Sequence, residues 1–245
     1  MASLMKTGPG IPIRTQSGVE LGMDASRVQG VATVTKGSRE DKVNGGAGEF
    51  FETVAAFSLC TDPAERETLD AGIWERYGTT GFVLITDMSG FSSTTRSFGI
   101  CYFLGMIHRA RQIVAPIVEA NNGLLLKCEA DNCYSFFNDA DDALQACIDL
   151  NTTLVRVNSE TNSEKEIHLS IGVDYGKLLL VGANDYFGDP VNTASKLGED
   201  LAGQGETLVT NRALEQAKQT HDVSSEQLVT RISGIDIKYM RLNVG

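Results

Sequence analysis

The chain has 245 residues, of which 42% are hydrophobic and 22% charged, and it carries a net charge of −11. This composition is typical of a soluble globular protein with one good-sized domain or two small ones. Its acidic surface repels phosphate groups, so we expect neither nucleic acid nor anionic lipid as a partner.

The cysteines and the apolar runs indicate the cellular compartment of the protein. Five cysteines are present, an odd number without a C-x-x-C pair, which argues against a disulfide framework and for a reducing compartment. The longest apolar runs, such as residues 82–85 and 178–181, are too short to span a bilayer. No secretory signal is apparent at the N-terminus. We therefore expect a cytoplasmic protein without membrane insertion.

The first 78 residues divide into two parts. Residues 1–48 are rich in Gly, Ser, Thr and charge without periodicity, and we predict that they are disordered or loosely attached. Residues 49–78 are predicted to form a helical lead-in, because apolar residues recur at helical spacing and Asp62-Pro63 is a typical helix start. The first of these helices either simply packs on the domain or is a regulatory or dimer-clasping helix. Residues 79–245 are predicted to form one domain.

That domain alternates between apolar strands and amphipathic helices. In chain order, the core elements are strand 82–86, helix 100–121 with a kink at Pro116, strands 124–128 and 133–137, helix 139–158, and strands 167–174 and 177–181. A helix from Asp189, a strand at 207–210, a helix at 211–218 and a hairpin turning at Ser233 follow. This order predicts an α+β fold with a ferredoxin-like βαββαβ core, extended by a further helix, strand and C-terminal hairpin.

Two aspartates are expected to meet at one edge of this sheet. Asp87 ends the first strand and Asp131 lies in the turn before the third, and these strands are antiparallel neighbours in a ferredoxin-like sheet. Two such acids repel each other unless a cation lies between them, and oxygen ligands without histidine suit Mg²⁺ or Mn²⁺. In the alternative interpretation, Asp87 caps the next helix and Asp131 is an ordinary turn residue.

The segment after Asp87 is a candidate anion-binding turn. Ser89, Gly90, Phe91 and Ser92 lead into a helix, and a short turn containing glycine at a helix N-terminus directs backbone N–H groups at an anion. Every strand–turn–helix unit has such a turn, so the prediction of a triphosphate cradle depends on the neighbouring metal pair.

Four segments in this order resemble the catalytic domains of class III adenylate and guanylate cyclases, from about Phe82 to Lys218. Residues 85–91 resemble their first metal motif and residues 127–131 their lysine-to-aspartate hairpin. Residues 170–176 resemble their next strand, and residues 187–196 their asparagine-containing helix. The resemblance implies the class III cyclase fold.

The resemblance also implies a metal site. Asp87 and Asp131 would hold two metal ions per site, Mg²⁺ or Mn²⁺, with the carbonyl group of Met88 as an additional ligand. Asn192 would orient the ribose. Lys196 falls where the family usually has an arginine that stabilises the transition state, one helical turn after Asn192.

Lys127 and Asp185 fall at the two base-reading positions of the family. Adenine offers an acceptor at N1 and a donor at N6, which a lysine donor and an aspartate acceptor complement. Guanine reverses both groups, and each unpaired polar group costs about 1–3 kcal/mol, so ATP is the predicted substrate. Alternatively, Lys127 is a solvated strand lysine and Asp185 a loop acid, since the stretch before Gly188 is shortened.

Three departures from the family concern the rate of turnover. Lys196 supplies a point charge without the planar fork of arginine. Ala130 replaces the usual glycine before the second aspartate. Ser233 stands where a lysine commonly contacts the triphosphate.

The predicted activity is adenylate cyclase, converting ATP to 3′,5′-cyclic AMP and pyrophosphate in a two-metal mechanism. The resemblance implies a two-fold homodimer, in which one subunit supplies the metal aspartates of a site and the other its base-reading residues. One alternative is a nucleotide-binding regulatory domain with weak or no catalysis. A diguanylate cyclase would need a Gly-Gly-acid-Glu-Phe hairpin, and residues 129–132 do not provide one.

Overall fold

The computed structural model describes residues 46–89, 96–224 and 226–243. The strands of these ranges are β1 (Gly78–Met88), β2 (Leu124–Glu129), β3 (Asn132–Phe137), β4 (Leu169–Val181), β5 (Asp185–Phe187), β6 (Thr207–Thr210), β7 (Leu228–Ile232) and β8 (Ile235–Arg241). The helices are α1 (Ala47–Leu59), α2 (Pro63–Tyr77), α3 (Ile100–Ala120), α4 (Ala140–Ser159), α5 (Asp189–Ser195) and α6 (Asn211–Leu214). A 3₁₀ turn spans Ser163–Lys165, and a π-helical turn, Lys196–Leu201, continues α5.

The strands form one mixed sheet in the order β2-β3-β1-β4-β6-β8-β7, with β5 paired to the end of β4. The central strand β1 is antiparallel to both β3 and β4, whereas β4 and β6 are parallel. The first four strands, with α3 and α4, are the predicted ferredoxin-like core. The elements α5, β6 and the β7–β8 hairpin extend it, so the α+β prediction is confirmed.

Helices α3 and α4 bury their apolar faces against the sheet. Phe103, Ile107, Val114 and Val118 recur at helical spacing along α3 and lie in the main core. The helix continues through Pro116, and a kink there stays a prediction. It ends where predicted, because the N–H group of Gly123 donates to the Val118 carbonyl at 2.8 Å.

Several predicted boundaries were wrong. Strands 167–174 and 177–181 are one continuous strand, β4, because Gly176 does not turn the chain but pairs with Gly81 of β1. A Cβ atom on Gly176 would lie 2.8 Å from Cγ of Pro190, so this glycine permits close packing of α5 on the strand. The helix predicted at 211–218 is also shorter and ends at Leu214.

The two lead-in helices pack on each other and on the far end of β4. As predicted, α2 starts at Asp62, whose carboxylate accepts a hydrogen bond from the N–H group of Glu65 at 2.9 Å. Phe50 of α1 is buried with Tyr77 and stacks on Phe187 at 5.6 Å between ring centroids. These contacts support plain packing for α1, while the domain limits at residues 48 and 78 stay predictions.

The C-terminal hairpin turns where the sequence predicted. Ser233 and Gly234 link β7 to β8, and both have positive φ angles, 49° and 83°. Among the helices in the described part of the chain, none combines the length and the apolar character needed to cross a membrane.

Candidate active site

The end of β1 and the β2–β3 hairpin bring Asp87 and Asp131 together. Thr86 lies opposite Cys133 in the β1–β3 register, which places Asp87 beside the hairpin loop that contains Asp131. Burial, and next the negative charge of Asp131, raise the pKa of the Asp87 carboxyl to about 6. The structure thus places the two predicted aspartates within electrostatic reach of each other.

Two further acids face this pair and were missed in the sequence analysis. Glu199 and Asp200, in the π-helical turn, also raise the pKa of Asp87. The pKa of Glu199 is itself raised, first by burial and then by Asp200 and Asp131. The negative charge that four acids concentrate here favours cations.

The donor set fits a hard divalent cation. Asp87 and Asp131 offer carboxylate oxygens, and Met88 is the buried last residue of β1. Within residues 46–89, 96–224 and 226–243, no group of three or more His, Cys, Asp and Glu side chains is arranged as a complete ligand set. A metal ion held here by the chain would therefore need further ligands from a bound nucleotide or from water.

Two side-chain hydrogen bonds hold the hairpin that carries Asp131 to neighbouring elements. An Nη2 group of Arg111, on α3, donates to the Ala130 carbonyl at 2.6 Å. The side-chain amide of Asn132 donates to Glu199 at 3.0 Å, so the hairpin is tied to the π-helical turn. Ala130 has a φ of 47°, a left-handed conformation that favours glycine, so the loop is held in a backbone geometry unfavourable for alanine.

Two cysteines face each other across the same hairpin. Cys128 and Cys133 are partners in the β2–β3 register, and their Sγ atoms are 2.8 Å apart. They lie on either side of the loop that contains Asp131, so the pair packs close to the candidate metal site.

Ser89 is the one residue of the predicted triphosphate cradle that the structure describes. Its N–H group donates to the His168 carbonyl at 3.0 Å, and its hydroxyl lies 3.0 Å from that of Ser170 on β4. The chain just after Asp87 is therefore anchored to the start of β4. Gly90, Phe91 and Ser92 lie outside the described residues.

Lys127 and Asp185 are brought into direct contact. The Nζ atom of Lys127 lies 3.1 Å from Oδ1 of Asp185 and 3.2 Å from Glu129. It also lies 5.0 Å from the ring centroid of Tyr134. Burial lowers the pKa of Lys127, but hydrogen bonds to the two carboxylates outweigh this effect and raise it overall. The structure therefore joins the two predicted base-reading residues in one ion pair.

Asn192 and Lys196 are exposed and lie one turn apart at the end of α5. Lys196 forms an ion pair with Asp200, whose side chain is 55% exposed. The close packing of α5 on β4 depends on Gly172, because a Cβ atom there would lie 2.1 Å from the Ala194 carbonyl oxygen. The helix is thus fixed against the sheet and presents both side chains to solvent.

Solved structures of nucleotide cyclase domains share this architecture. An adenylate/guanylate cyclase/hydrolase from Silicibacter pomeroyi matches with a TM-score of 0.59 at 20% identity, over 67% of this chain and 96% of its own. The guanylyl cyclase Cya2 matches with a TM-score of 0.60 at 17% identity, over 69% and 94%. Adenylate cyclases of Trypanosoma brucei match with a TM-score of 0.59 at 15% identity, over 67% and 90%.

Sequence comparison adds no closer relative. No protein-family model matches the chain, and no curated protein matches it. At identities of 15–20% the structural likeness establishes the fold, which is that of class III adenylate and guanylate cyclase catalytic domains.

Proposed function

We propose that this chain is an adenylate cyclase, which converts ATP to 3′,5′-cyclic AMP and pyrophosphate in a cytoplasmic homodimer. The observation that carries the proposal is the contact between Lys127 and Asp185 at 3.1 Å, within a fold shared with nucleotide cyclases. The similar structures include adenylate and guanylate cyclases, so the choice of ATP depends on these two side chains.

Base selection follows from the hydrogen-bonding capacity of the pair. Lys127 can only donate, to N1 of adenine, and Asp185 can accept from the N6 amino group. Because each already contacts the other, little side-chain entropy is lost when the base arrives. With guanine, a donor would face a donor and an acceptor would face an acceptor, and each mismatch costs about 1–3 kcal/mol.

Asp87, Asp131 and the Met88 carbonyl are the groups that would hold Mg²⁺ or Mn²⁺, two ions per site. Such ions, when bound, neutralise triphosphate charge and favour ionisation of the ribose 3′-hydroxyl. The two carboxylates supply the negative charge for that binding, and cation binding relieves the repulsion that raises the pKa of Asp87. The backbone of Ser89, Gly90, Phe91 and Ser92 is the proposed cradle for the phosphates.

The residues at the end of α5 act on the reacting centre. Asn192 orients the ribose so that its 3′-oxygen can attack the α-phosphorus while pyrophosphate leaves. Lys196 places a positive charge against the developing charge on the phosphate oxygens. Its ion pair with Asp200 has to open for this contact, and a lysine lacks the fork of arginine, so we expect slow turnover.

We propose a shared site, with the aspartates from one subunit and the Lys127 and Asn192 side chains from the other. The exposure of Asn192 and Lys196, which leaves both available to a second subunit, supports this arrangement. A closed two-fold dimer then has two equivalent sites.

A nucleotide-binding regulatory domain with weak or no catalysis is the second candidate. The ion pair between Lys196 and Asp200 favours it, because that contact neutralises the cation placed to stabilise the transition state. The alanine at position 130 and the serine at position 233 point in the same direction.

A product assay tests both candidates. Purified protein is incubated with ATP or GTP and with Mg²⁺ or Mn²⁺, and products and nucleotide affinity are measured on the same sample. We expect cyclic AMP from ATP, its loss in Asp87→Asn and Asp131→Asn, and unchanged activity in Asp70→Asn, a control at an exposed α2 position. Nucleotide binding without any product would support the regulatory candidate instead. Near wild-type activity in both site variants would rule out the metal site.

A further inference from the structure

Asp174 is an acidic side chain in the protein interior. It lies on β4 and is 0% exposed, in an environment where an ionised carboxylate requires a cation and hydrogen bonds. The hydroxyl of Thr210 donates to its Oδ1 atom at 2.6 Å. Arg212, on α6, donates from Nε to the same oxygen at 2.7 Å and from Nη2 to the other oxygen. The arginine fork therefore satisfies the buried acid on both oxygens.

The same guanidinium group makes one more bond. Its Nη2 donates at 2.6 Å to Asp189, which is the first residue of α5. Hydrogen bonds to Asp174, the largest cause, raise the pKa of Arg212 above its ordinary value. Arg212 thus links a residue locked in the sheet to the start of the helix that presents Asn192 and Lys196.

Besides the packing of Pro190 on Gly176, the start of α5 has no side-chain cap. Its N-cap residue is Gly188, which has no side chain to cap the helix. Asn192 lies about one turn after Asp189, so a rotation of the helix at Asp189 also displaces Asn192. A planar, bidentate arginine anchored at Asp174 resists that rotation better than a single-point contact does.

We propose that Arg212 is a positioning residue for catalysis, which sets the orientation of α5 and thereby of Asn192 and Lys196. The effect on catalysis depends on the proposed cyclase function, whereas the anchoring of α5 does not. Arg212 itself is not expected to touch the nucleotide.

The two halves of the network can be separated experimentally. Asp189 is 56% exposed, so Asp189→Asn removes the charge from the outer link and leaves the buried link in place. Arg212→Lys keeps a cation for Asp174, but one ammonium group cannot bridge both carboxylates in the same way. Arg212→Met would leave the buried Asp174 without its cationic partner and is expected to destabilise the fold severely, so it is not a suitable test.

Hydrogen exchange tests the anchoring without any need for activity. In both Asp189→Asn and Arg212→Lys, amides of residues 190–198 should exchange at least about fivefold faster, with the rest of the sheet unchanged. The matched control is Asp236→Asn, which breaks another arginine–carboxylate pair, with Arg231 in the β7–β8 hairpin. Unchanged exchange at 190–198 in both variants would overturn the inference, whether or not the protein proves to be a cyclase.

Kinetics then test the consequence. We expect kcat to fall about tenfold in either variant with little change in KM, because displaced groups lose contacts made mainly in the transition state. The double variant should be no slower than either single variant, since both remove one link. In a Lys196→Ala background, the same substitutions should cost less than they do in the wild type. Wild-type kcat in both variants of an active enzyme would refute the positioning role, and a wild type without product would refute only the proposed function.

Discussion

The Nζ atom of Lys127 lies 3.1 Å from Oδ1 of Asp185, so the structure joins two side chains that are far apart in the sequence. If this pair reads the base, exchanging its members should exchange the preferred nucleotide. In Lys127→Asp/Asp185→Lys, the ratio of kcat/KM for ATP over GTP should fall by at least about tenfold, because donor and acceptor are inverted. The Lys127→Ala/Asp185→Ala variant is the control and should lose ATP activity without gaining GTP. A swapped variant that keeps the ATP preference would contradict base reading by this pair.

The ion pair of Lys196 with Asp200 leads to opposite expectations for its two members. Lys196→Ala should lower kcat roughly 10- to 100-fold with little change in KM, as expected for a contact made mainly in the transition state. Lys196→Arg should be neutral or faster, and Asp200→Asn should raise kcat by releasing the lysine. Steady-state cyclic AMP formation measures all three, with Lys218→Ala as an exposed control. A Lys196→Ala variant with wild-type kcat would show that Lys196 is a surface lysine without a catalytic role.

The raised pKa of Asp87 predicts how stability depends on pH. The folded protein holds this proton up to about pH 6, whereas the carboxyl ordinarily titrates near 3.8, so ionising Asp87 destabilises the metal-free protein above pH 6. Asp87→Asn should therefore have a higher Tm than the wild type at pH 8. The difference in Tm between the two proteins should shrink as the pH falls through 6 and vanish below the ordinary carboxyl pKa of 3.8.

Thermal unfolding in the presence of a chelator measures this effect. Asp70→Asn is the control, at an exposed position on α2, and its Tm should not follow the same curve. A wild type that is the more stable protein at pH 8 would show that burial and Asp131 do not penalise the ionised form. Added Mg²⁺ should reverse the order at pH 8, because only the wild type has both carboxylates to bind it.

The positive φ of Ala130 predicts that glycine stabilises the hairpin. Alanine in a left-handed conformation costs about 1–2 kcal/mol, which glycine avoids. The greater conformational entropy of glycine in the unfolded chain offsets about 0.4–1 kcal/mol of that gain. Ala130→Gly should therefore raise the free energy of unfolding by about 0.5–1 kcal/mol in denaturant titration. Ala202→Gly is the matched control, and since Ala202 has a φ of −70°, it should destabilise. A loss of stability in Ala130→Gly would mean that the turn relaxes to another conformation in solution.

Complementation tests whether two subunits build each site. Asp87→Ala lacks a metal ligand but keeps Lys127, and Lys127→Ala has the reverse defect. In a mixed dimer, one site contains both substitutions and the other site contains neither. Free exchange at equal concentrations makes about half the dimers mixed, so about a quarter of wild-type activity should return. Differential tags verify mixing, and inactive mixed dimers would exclude the shared site.

Much of the fold follows from periodicity and stop signals. Helix α3 repeats apolar residues at helical spacing and ends at an Asn-Gly stop. The βαββαβ order of elements is typical of the ferredoxin-like topology that the sheet has. The prediction was wrong where a glycine lies inside a strand and permits close packing instead of interrupting the strand. Two strands, 167–174 and 177–181, were predicted, but the pairing of Gly176 with Gly81 and its packing under Pro190 are tertiary contacts that local sequence does not encode.

The site was predictable where residues fall at the ends of regular strands. Asp87 and Asp131 could be paired from topology alone, whereas Glu199 and Asp200 could not, because a π-helical turn changes which side chains share a face. The i, i+4 spacing of Lys196 and Asp200 was the available signal for their ion pair. The buried acid on β4 was a similar signal, since Asp174 inside an apolar strand requires a cationic partner somewhere in the chain.

The hydrogen bond from Asn132 to Glu199, 3.0 Å long, ties the Asp131 hairpin to the turn behind Lys196 within one chain. In the proposed dimer these two elements serve opposite sites. A cation that draws Asp131 toward it at one site would therefore shift the lysine that acts at the other. The two sites of such a dimer are mechanically joined through each subunit, and we expect their occupancies to be cooperative rather than independent.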